Sequence, residues 1–223
     1  MSEKLRIAID GPGGAGKSTI AKMIALELAI DYIDTGAMYR AVAYKMKEKG
    51  IGIADTEALA AMLGETDIDF SGGDIVLDGA VINEYIRTPE ISKLASDCSA
   101  IGIVREKLVG LQKAMGVKKS VIMDGRDIGT NVMTGAEYKF YMTADPEERA
   151  RRRHKELLEK GQSPDFARVL EDITSRDRND MTRALNPLAK ADDAIEIDTT
   201  FMSIRQVCEF ILGKVKGETD GNN

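Results

Sequence analysis

With 223 residues, 43% of them hydrophobic and 30% charged, the chain can bury a substantial core, either as one large domain or as a core carrying a smaller insert. A net charge of −6 argues against general nucleic-acid binding, which needs a basic face, and no apolar run approaches the length of a membrane span. Met1-Ser2-Glu3-Lys4 leads toward a strand without an apolar leader, and the two cysteines, Cys98 and Cys208, are expected as buried free thiols, so the expectation is a cytoplasmic protein without a redox role.

Residues 5–9 are apolar enough to predict a buried strand, bounded by Asp10. Directly behind it, Gly11, Pro12, Gly13, Gly14, Ala15, Gly16, Lys17, Ser18 and Thr19 spell a phosphate-binding loop whose glycine, lysine and serine spacing is complete. The glycines let successive backbone N–H groups curl around a polyphosphate, and the following helix, marked by Ile20, Ile24 and Leu28, points its positive end at the same anion. Lys17, expected to be exposed in the loop, would reach the outer phosphates, and the Ser18 hydroxyl can hold Mg²⁺. A nucleoside triphosphate site follows.

Residues 31–34 predict a second strand, and Met38, Val42 and Met46 place a helix after it, so Thr35 and Arg40 bracket another strand-to-helix junction able to hold phosphate. From Asp55 the character changes. A short helix bearing Leu59, Met62 and Leu63 is followed by β-like runs at 68–71, 74–77 and 80–83, joined by Gly72-Gly73 and Asp78-Gly79. Such a meander breaks an alternating strand and helix pattern, which predicts an insert at 37–101 on a core made of 1–36, 102–147 and 184–215. Thr88-Pro89 opens the last helix of the insert.

The next helix carries Val104, Leu108, Leu111 and Met115 and is expected to stop at Gly116. A strand then ends in Asp124-Gly125-Arg126-Asp127. Ligands gather at the carboxyl ends of strands in doubly wound sheets, where Asp124 suits a metal. After a strand at 138–143, Asp145-Pro146 and Ser163-Pro164 start two helices. The apolar stripe Phe166, Val169, Leu170, Ile173 continues as Arg176, Asp180 and Arg183, so these charges should line a cavity. Eight of the fourteen arginines lie between Arg149 and Arg183, which suggests an anion site. Repulsion along Arg151, Arg152 and Arg153 is expected to hold this helical pair open as a lid, 148–183, until nucleotide draws Arg153, Arg176 and Arg183 inward. His154, the lone histidine, is expected at a solvated surface position. A strand at 194–198, a closing helix and a disordered tail at 216–223 complete the chain.

Together, GPGGAGKST, the run DTGAMYR at 34–40, Ile86-Arg87-Thr88, Val104-Arg105-Glu106, the run DGRDIGT at 124–130 and the helix bearing Arg176 and Arg183 resemble the bacterial cytidylate kinases over nearly the whole chain. Many NTPases share the first motif, whereas DTGAMYR and DGRDIGT together are specific to that family. The resemblance implies an α/β fold of the phosphate-loop nucleoside monophosphate kinases: a parallel sheet with helices on both faces, an inserted nucleotide-binding domain with a small antiparallel sheet, and a helical lid. It implies transfer of the ATP γ-phosphoryl group to CMP or dCMP with Mg²⁺; the expectation is a monomer whose partners are these nucleotides, with no nucleic acid or membrane among them. Thr35, Arg40 and Arg126 match positions that hold the CMP phosphate. Ser96, Arg105 and Asp127 match positions reading the cytosine edge, Arg176 and Asp180 positions near the sugar, and Arg183 one near the transferring phosphate. Lys17, Arg126, Arg176 and Arg183 would thus carry catalysis, with Ser18 and Asp124 at the metal. Thr35 departs from the serine of many members but keeps the hydroxyl.

Elementary chemistry fits these roles. Phosphoryl transfer asks the protein for positioning and charge neutralisation, which Lys17 and the arginines can supply. The N4 amino group of cytosine can donate to a carboxylate such as Asp127, and an arginine can serve N3 and O2. A kinase for UMP, AMP or shikimate would differ only in the base-reading residues. A GTP-dependent switch would normally carry Asn-Lys-x-Asp, and no Asn-Lys pair occurs in the chain.

Overall fold

The computed structural model describes residues 4–217, which divide into two compact units: residues up to 32 together with those from 120 onward, and residues 33–119.

The first unit is built on a five-stranded sheet. Its central strand β1 (Arg6–Asp10) has Ile7, Ala8 and Ile9 fully buried, as befits a strand covered on both faces. The sheet order is β2 (Asp31–Asp34), β6 (Val121–Gly125), β1, β7 (Tyr138–Thr143), β8 (Ile195–Asp198). The ladders are parallel, with Arg6 opposite Val121, Asp10 opposite both Gly125 and Tyr141, and Phe140 opposite Ile195. That register brings the carboxyl ends of β1 and β6 level, and the loops leaving them carry the sequence motifs. Helix α1 (Lys17–Leu28) and helix α8 (Ile204–Lys216) pack Ile20, Ile24, Val207 and Ile211 into one core with Ile7, Ile9, Ile122, Phe140 and Met142. Helices α6 (Pro146–Glu159) and α7 (Phe166–Thr182) form a pair with its own small cluster of Ala150, Leu157 and Val169. The Asp145 side chain caps α6 through the Glu147 and Glu148 N–H groups, and Pro146 occupies the first turn, where its missing N–H costs nothing.

The second unit holds α2 (Thr35–Glu48), α3 (Thr56–Gly64), a three-stranded antiparallel sheet of β3 (Ile68–Ser71), β4 (Asp74–Leu77) and β5 (Ala80–Val81), then α4 (Pro89–Cys98) and α5 (Gly102–Lys118). Asp34, Asp55 and Thr88 cap α2, α3 and α4. Lys45 of α2 reaches the Asp78 carboxylate and the Glu65 carbonyl, tying the helix to the β4–β5 turn.

Several boundaries differ from expectation, among them the start of α7, which Asp165 caps two residues after Ser163. The third run ends at Val81 rather than residue 83, because the Asn83 side chain takes the Ile75 N–H and donates to Asp74 in place of a strand ladder. Helix α5 passes through Gly116, which keeps a right-handed backbone, and ends at Lys118. A glycine stops a helix only where its left-handed freedom is used. Lys216, expected in a tail, closes α8 and Gly217 caps it; the rest of that tail lies outside the described residues. Both cysteines are buried free thiols, and no helix among the described residues is long and apolar enough to cross a membrane.

Candidate active site

In the first unit the loop after β1 turns on glycines with positive φ: Gly11 at 144°, Gly14 at 77° and Gly16 at 89°. Gly16 is the N-cap of α1, so the first N–H groups of that helix are aimed into the loop. Lys17 is not exposed, contrary to expectation. It is 5% accessible, and its Nζ folds back to donate to the Pro12 carbonyl at 2.7 Å. The loop wraps around its own lysine. Burial, reinforced by the Arg126 charge, lowers the Lys17 pKa to about 7, with Asp124 opposing.

At the end of β6 the Asp124 carboxylate accepts the Ser18 hydroxyl at 2.8 Å and the Tyr32 hydroxyl at 2.7 Å. The two residues expected at the metal therefore meet. A Cβ placed on Gly13 would lie 3.6 Å from Arg126 Nη2 and 4.0 Å from Arg176 Cδ, which sets both arginines against the phosphate loop. Arg126 Nε donates to Asp180 at 2.7 Å. Arg183 Nη2 donates to Asp127 at 3.0 Å, with Asp180 3.8 Å from its other terminal nitrogen. The stripe of α7 thus does turn inward: Asp180 is buried and the Arg183 side chain nearly so. Burial works against charge on Asp180, but Arg126, Arg176 and Arg183 outweigh it and hold its carboxyl below the usual range. Burial likewise opposes charge on Arg126, and Asp180 more than offsets it. The cluster is a set of guanidiniums held ready by carboxylates.

The residues matched to the acceptor fall into two sets. Arg126, Asp127, Arg176 and Asp180 lie in the first unit, and Thr35, Arg40, Ser96 and Arg105 in the second. Within the second unit Asp34 organises the junction. Its side chain caps α2 at the Ala37 N–H, takes both oxygens to Arg40 Nη2 at 3.2 and 3.0 Å, and lies 3.4 Å from Arg87. Thr35, buried, opens that helix. Ser96 and Arg105 meet at Ser99, whose hydroxyl donates to the Ser96 carbonyl while its own carbonyl accepts from Arg105. Arg105 is buried, its guanidinium 5.9 Å from the centre of the Tyr39 ring.

The α6 arginines correct one physical premise. Arg151 pairs with Glu147 and Glu148, Arg152 with Glu148, and Arg153 with Glu156, all at helical i, i+3 or i, i+4 spacing. Neighbouring glutamates already offset the run of like charge, so repulsion along α6 is not what would hold the helical pair open. His154 is half-buried, not solvated: its Nε2 lies 3.0 Å from the Pro164 carbonyl and its ring meets Phe166 edge-on, fastening the α6–α7 connection.

Sequence reasoning left out three residues. Arg149 is buried and joins three segments, with Nε on the Ala144 carbonyl, and Nη1 on both the Gly13 carbonyl and the Asp177 carboxylate. Tyr32 fixes Asp124. Asp10 is buried at the end of β1 and accepts the N–H groups of Ile128 and Gly129. An acid closing an apolar strand was the available signal for Asp10; nothing periodic marked the other two.

Burial, with Asp127 nearby, pushes the Asp10 carboxyl up to about 6 against the pull of its two backbone hydrogen bonds. A group whose folded pKa is raised stabilises the fold fully below its unfolded pKa, near 3.8, and that contribution is lost as pH rises through about 6. Urea unfolding of the native chain and of Asp10→Asn across pH 4 to 7 should therefore show the native chain losing on the order of 2–3 kcal/mol relative to the variant. A pH-independent difference would contradict a buried Asp10 that titrates in this window.

The sequence matches the family described as cytidylate kinase over residues 7–217. A cytidylate kinase of Clostridioides difficile strain 630 is 50% identical over 211 residues, spanning 95% of this chain and 98% of that protein. One from Bacillus subtilis strain 168 is 45% identical over 220 residues, spanning 97% of this chain and 98% of that protein. Among solved structures, a gluconokinase from Sinorhizobium meliloti 1021 shares the fold at a TM-score of 0.52 and 11% identity, covering 96% of this chain and 92% of that one.

Proposed function

The chain belongs to the cytidylate kinase family, and from that premise we propose that it transfers the γ-phosphoryl group of ATP to CMP or dCMP, giving ADP and CDP or dCDP, as a monomer in the cytoplasm. The observation that carries this reading is the match over residues 7–217, which takes in the phosphate loop, the Asp124–Asp127 turn and the arginines of α7 together.

The donor phosphates occupy the loop from Gly11 to Thr19, where the α1 N-terminus and Lys17 neutralise them. Lys17 exchanges the Pro12 carbonyl for a phosphate oxygen. Arg126 and Arg183, held in place by Asp180 and Asp127, need only change partners to face the transferring group. Arg176 beside Gly13 adds charge on the same side. Ser18 and Asp124 would hold Mg²⁺: a hydroxyl and a carboxylate 2.8 Å apart are the hard oxygen donors this ion prefers, and the ion when bound neutralises phosphate charge.

The acceptor phosphate goes to Thr35, Arg40 and Arg126, and the cytosine edge to Ser96, Arg105 and Asp127. Arg176 and Asp180 serve the sugar. In this reading residues 37–101 form the acceptor-binding insert, and 148–183 are a lid that excludes water from the reacting phosphates. A coupled ADP-release assay with CMP, dCMP, UMP and AMP tests the assignment. Turnover should be fastest with the cytidine nucleotides, and preference for AMP or UMP would overturn it.

A further inference from the structure

Asp127 stands at the N-cap of the π-helical turn Ile128–Val132, yet its side chain makes no capping hydrogen bond there. An aspartate at such a position ordinarily spends its carboxylate on the first N–H groups of its own helix. Here another residue has taken the task. Asp10, on the neighbouring strand and 118 residues away, accepts the Ile128 N–H on one oxygen at 2.8 Å and the Gly129 N–H on the other at 2.7 Å. The fit is close: a Cβ on Gly129 would stand 3.4 Å from that second oxygen and 3.2 Å from Lys139 Cδ. With the turn capped from β1, the Asp127 carboxylate is committed to Asn131 Nδ2 at 3.0 Å and Arg183 Nη2 at 3.0 Å.

We infer that Asp10 is a positioning residue for acceptor recognition: by capping the Ile128–Val132 turn from β1, it keeps the Asp127 carboxylate off its own backbone and turned toward the cytosine amino group. This rests on the proposed role of Asp127 in reading the base. π-helical turns are rare and frequent at functional sites, and this one has its first two donors satisfied by a single buried carboxylate. Removing the cap would leave two buried N–H groups competing for Asp127 itself.

Asp10→Asn is nearly isosteric but offers one acceptor oxygen where two are used. It should raise KM for CMP at least fivefold, leave KM for ATP within twofold, and add less than twofold to KM for CMP when placed in an Asp127→Ala background. A role confined to folding would move both KM values or neither. An equal rise for ATP would mean that Asp10 serves the adjacent phosphate loop, and unchanged KM for CMP would mean that the cap does not govern Asp127; either result overturns the inference. Loss of CMP affinity in Asp127→Ala beside native values in Asp10→Asn rejects the positioning role alone. Native CMP affinity in Asp127→Ala rejects the base-reading role and the inference with it. Should Asp10→Asn fail to fold, Gly129→Ala sets a Cβ 3.4 Å from the Asp10 oxygen that accepts the Gly129 N–H, and the same split between the two KM values decides.

Discussion

Lys17→Met will lower kcat by about a thousandfold or more while leaving a folded protein. The expectation combines two facts about one side chain. Lys17 sits at the start of α1 and its ammonium lies within the loop proposed to hold the donor phosphates, on the Pro12 carbonyl. It is also buried, and burial next to Arg126 makes its charge unfavourable in the free protein. Methionine fills a similar volume without that charge, and so opens no cavity of the kind alanine would leave. The unfolding midpoint should therefore hold or rise while turnover collapses. Circular dichroism with urea titration, set beside a coupled assay at saturating ATP, checks both halves. A kcat within tenfold of the native value would remove Lys17 from catalysis.

Gly11→Ala should fail for a different reason. Gly11 has φ of 144°, and a Cβ built on it would lie 1.9 Å from the Met142 carbonyl oxygen of β7, well inside contact distance. The clash is with backbone in the middle of the sheet, so no rotamer relieves it. Either β7 shifts, with Phe140 and Met142 leaving the core, or the loop abandons its curl. Backbone strain and overpacking together cost on the order of 3 kcal/mol or more. The variant should unfold at markedly lower urea concentration and lose ATP binding by calorimetry. Native stability would show that the loop tolerates a side chain where β1 hands over to it.

Features that a few neighbouring residues decide were legible in the sequence. The phosphate loop, the Asp145-Pro146 helix start and the Gly72-Gly73 and Asp78-Gly79 turns are local, and the sequence places β1, α6 and the β3–β5 meander to within a residue or two of their observed bounds. The inward course of α7 was legible too, since a 3.6-residue stripe carried through Arg176 and Asp180 keeps its direction.

Long-range features were hidden. Asp10 finds its partners 118 residues away, and Arg149 bonds to Gly13 136 residues away. No spacing rule joins such positions. Lys17 is buried because the loop closes over it, an effect of backbone geometry that a motif does not express. The pairing along α6 is local by contrast: Glu147, Glu148 and Glu156 stand at helical spacing from the arginines, and that spacing is legible in the sequence.

The proposed role of Asp127 in reading cytosine is tested most directly by the ratio of kcat/KM for CMP to that for UMP, in the native chain and in Asp127→Ala. Asp127 also holds Arg183, so the variant loses general activity as well. A ratio cancels that loss because both acceptors share it. A carboxylate that accepts the cytosine amino group discriminates strongly against the uracil carbonyl at the same position, and its removal should reduce the ratio at least tenfold. A ratio unchanged in Asp127→Ala, however slow the enzyme becomes, would contradict the placing of the cytosine edge at this turn.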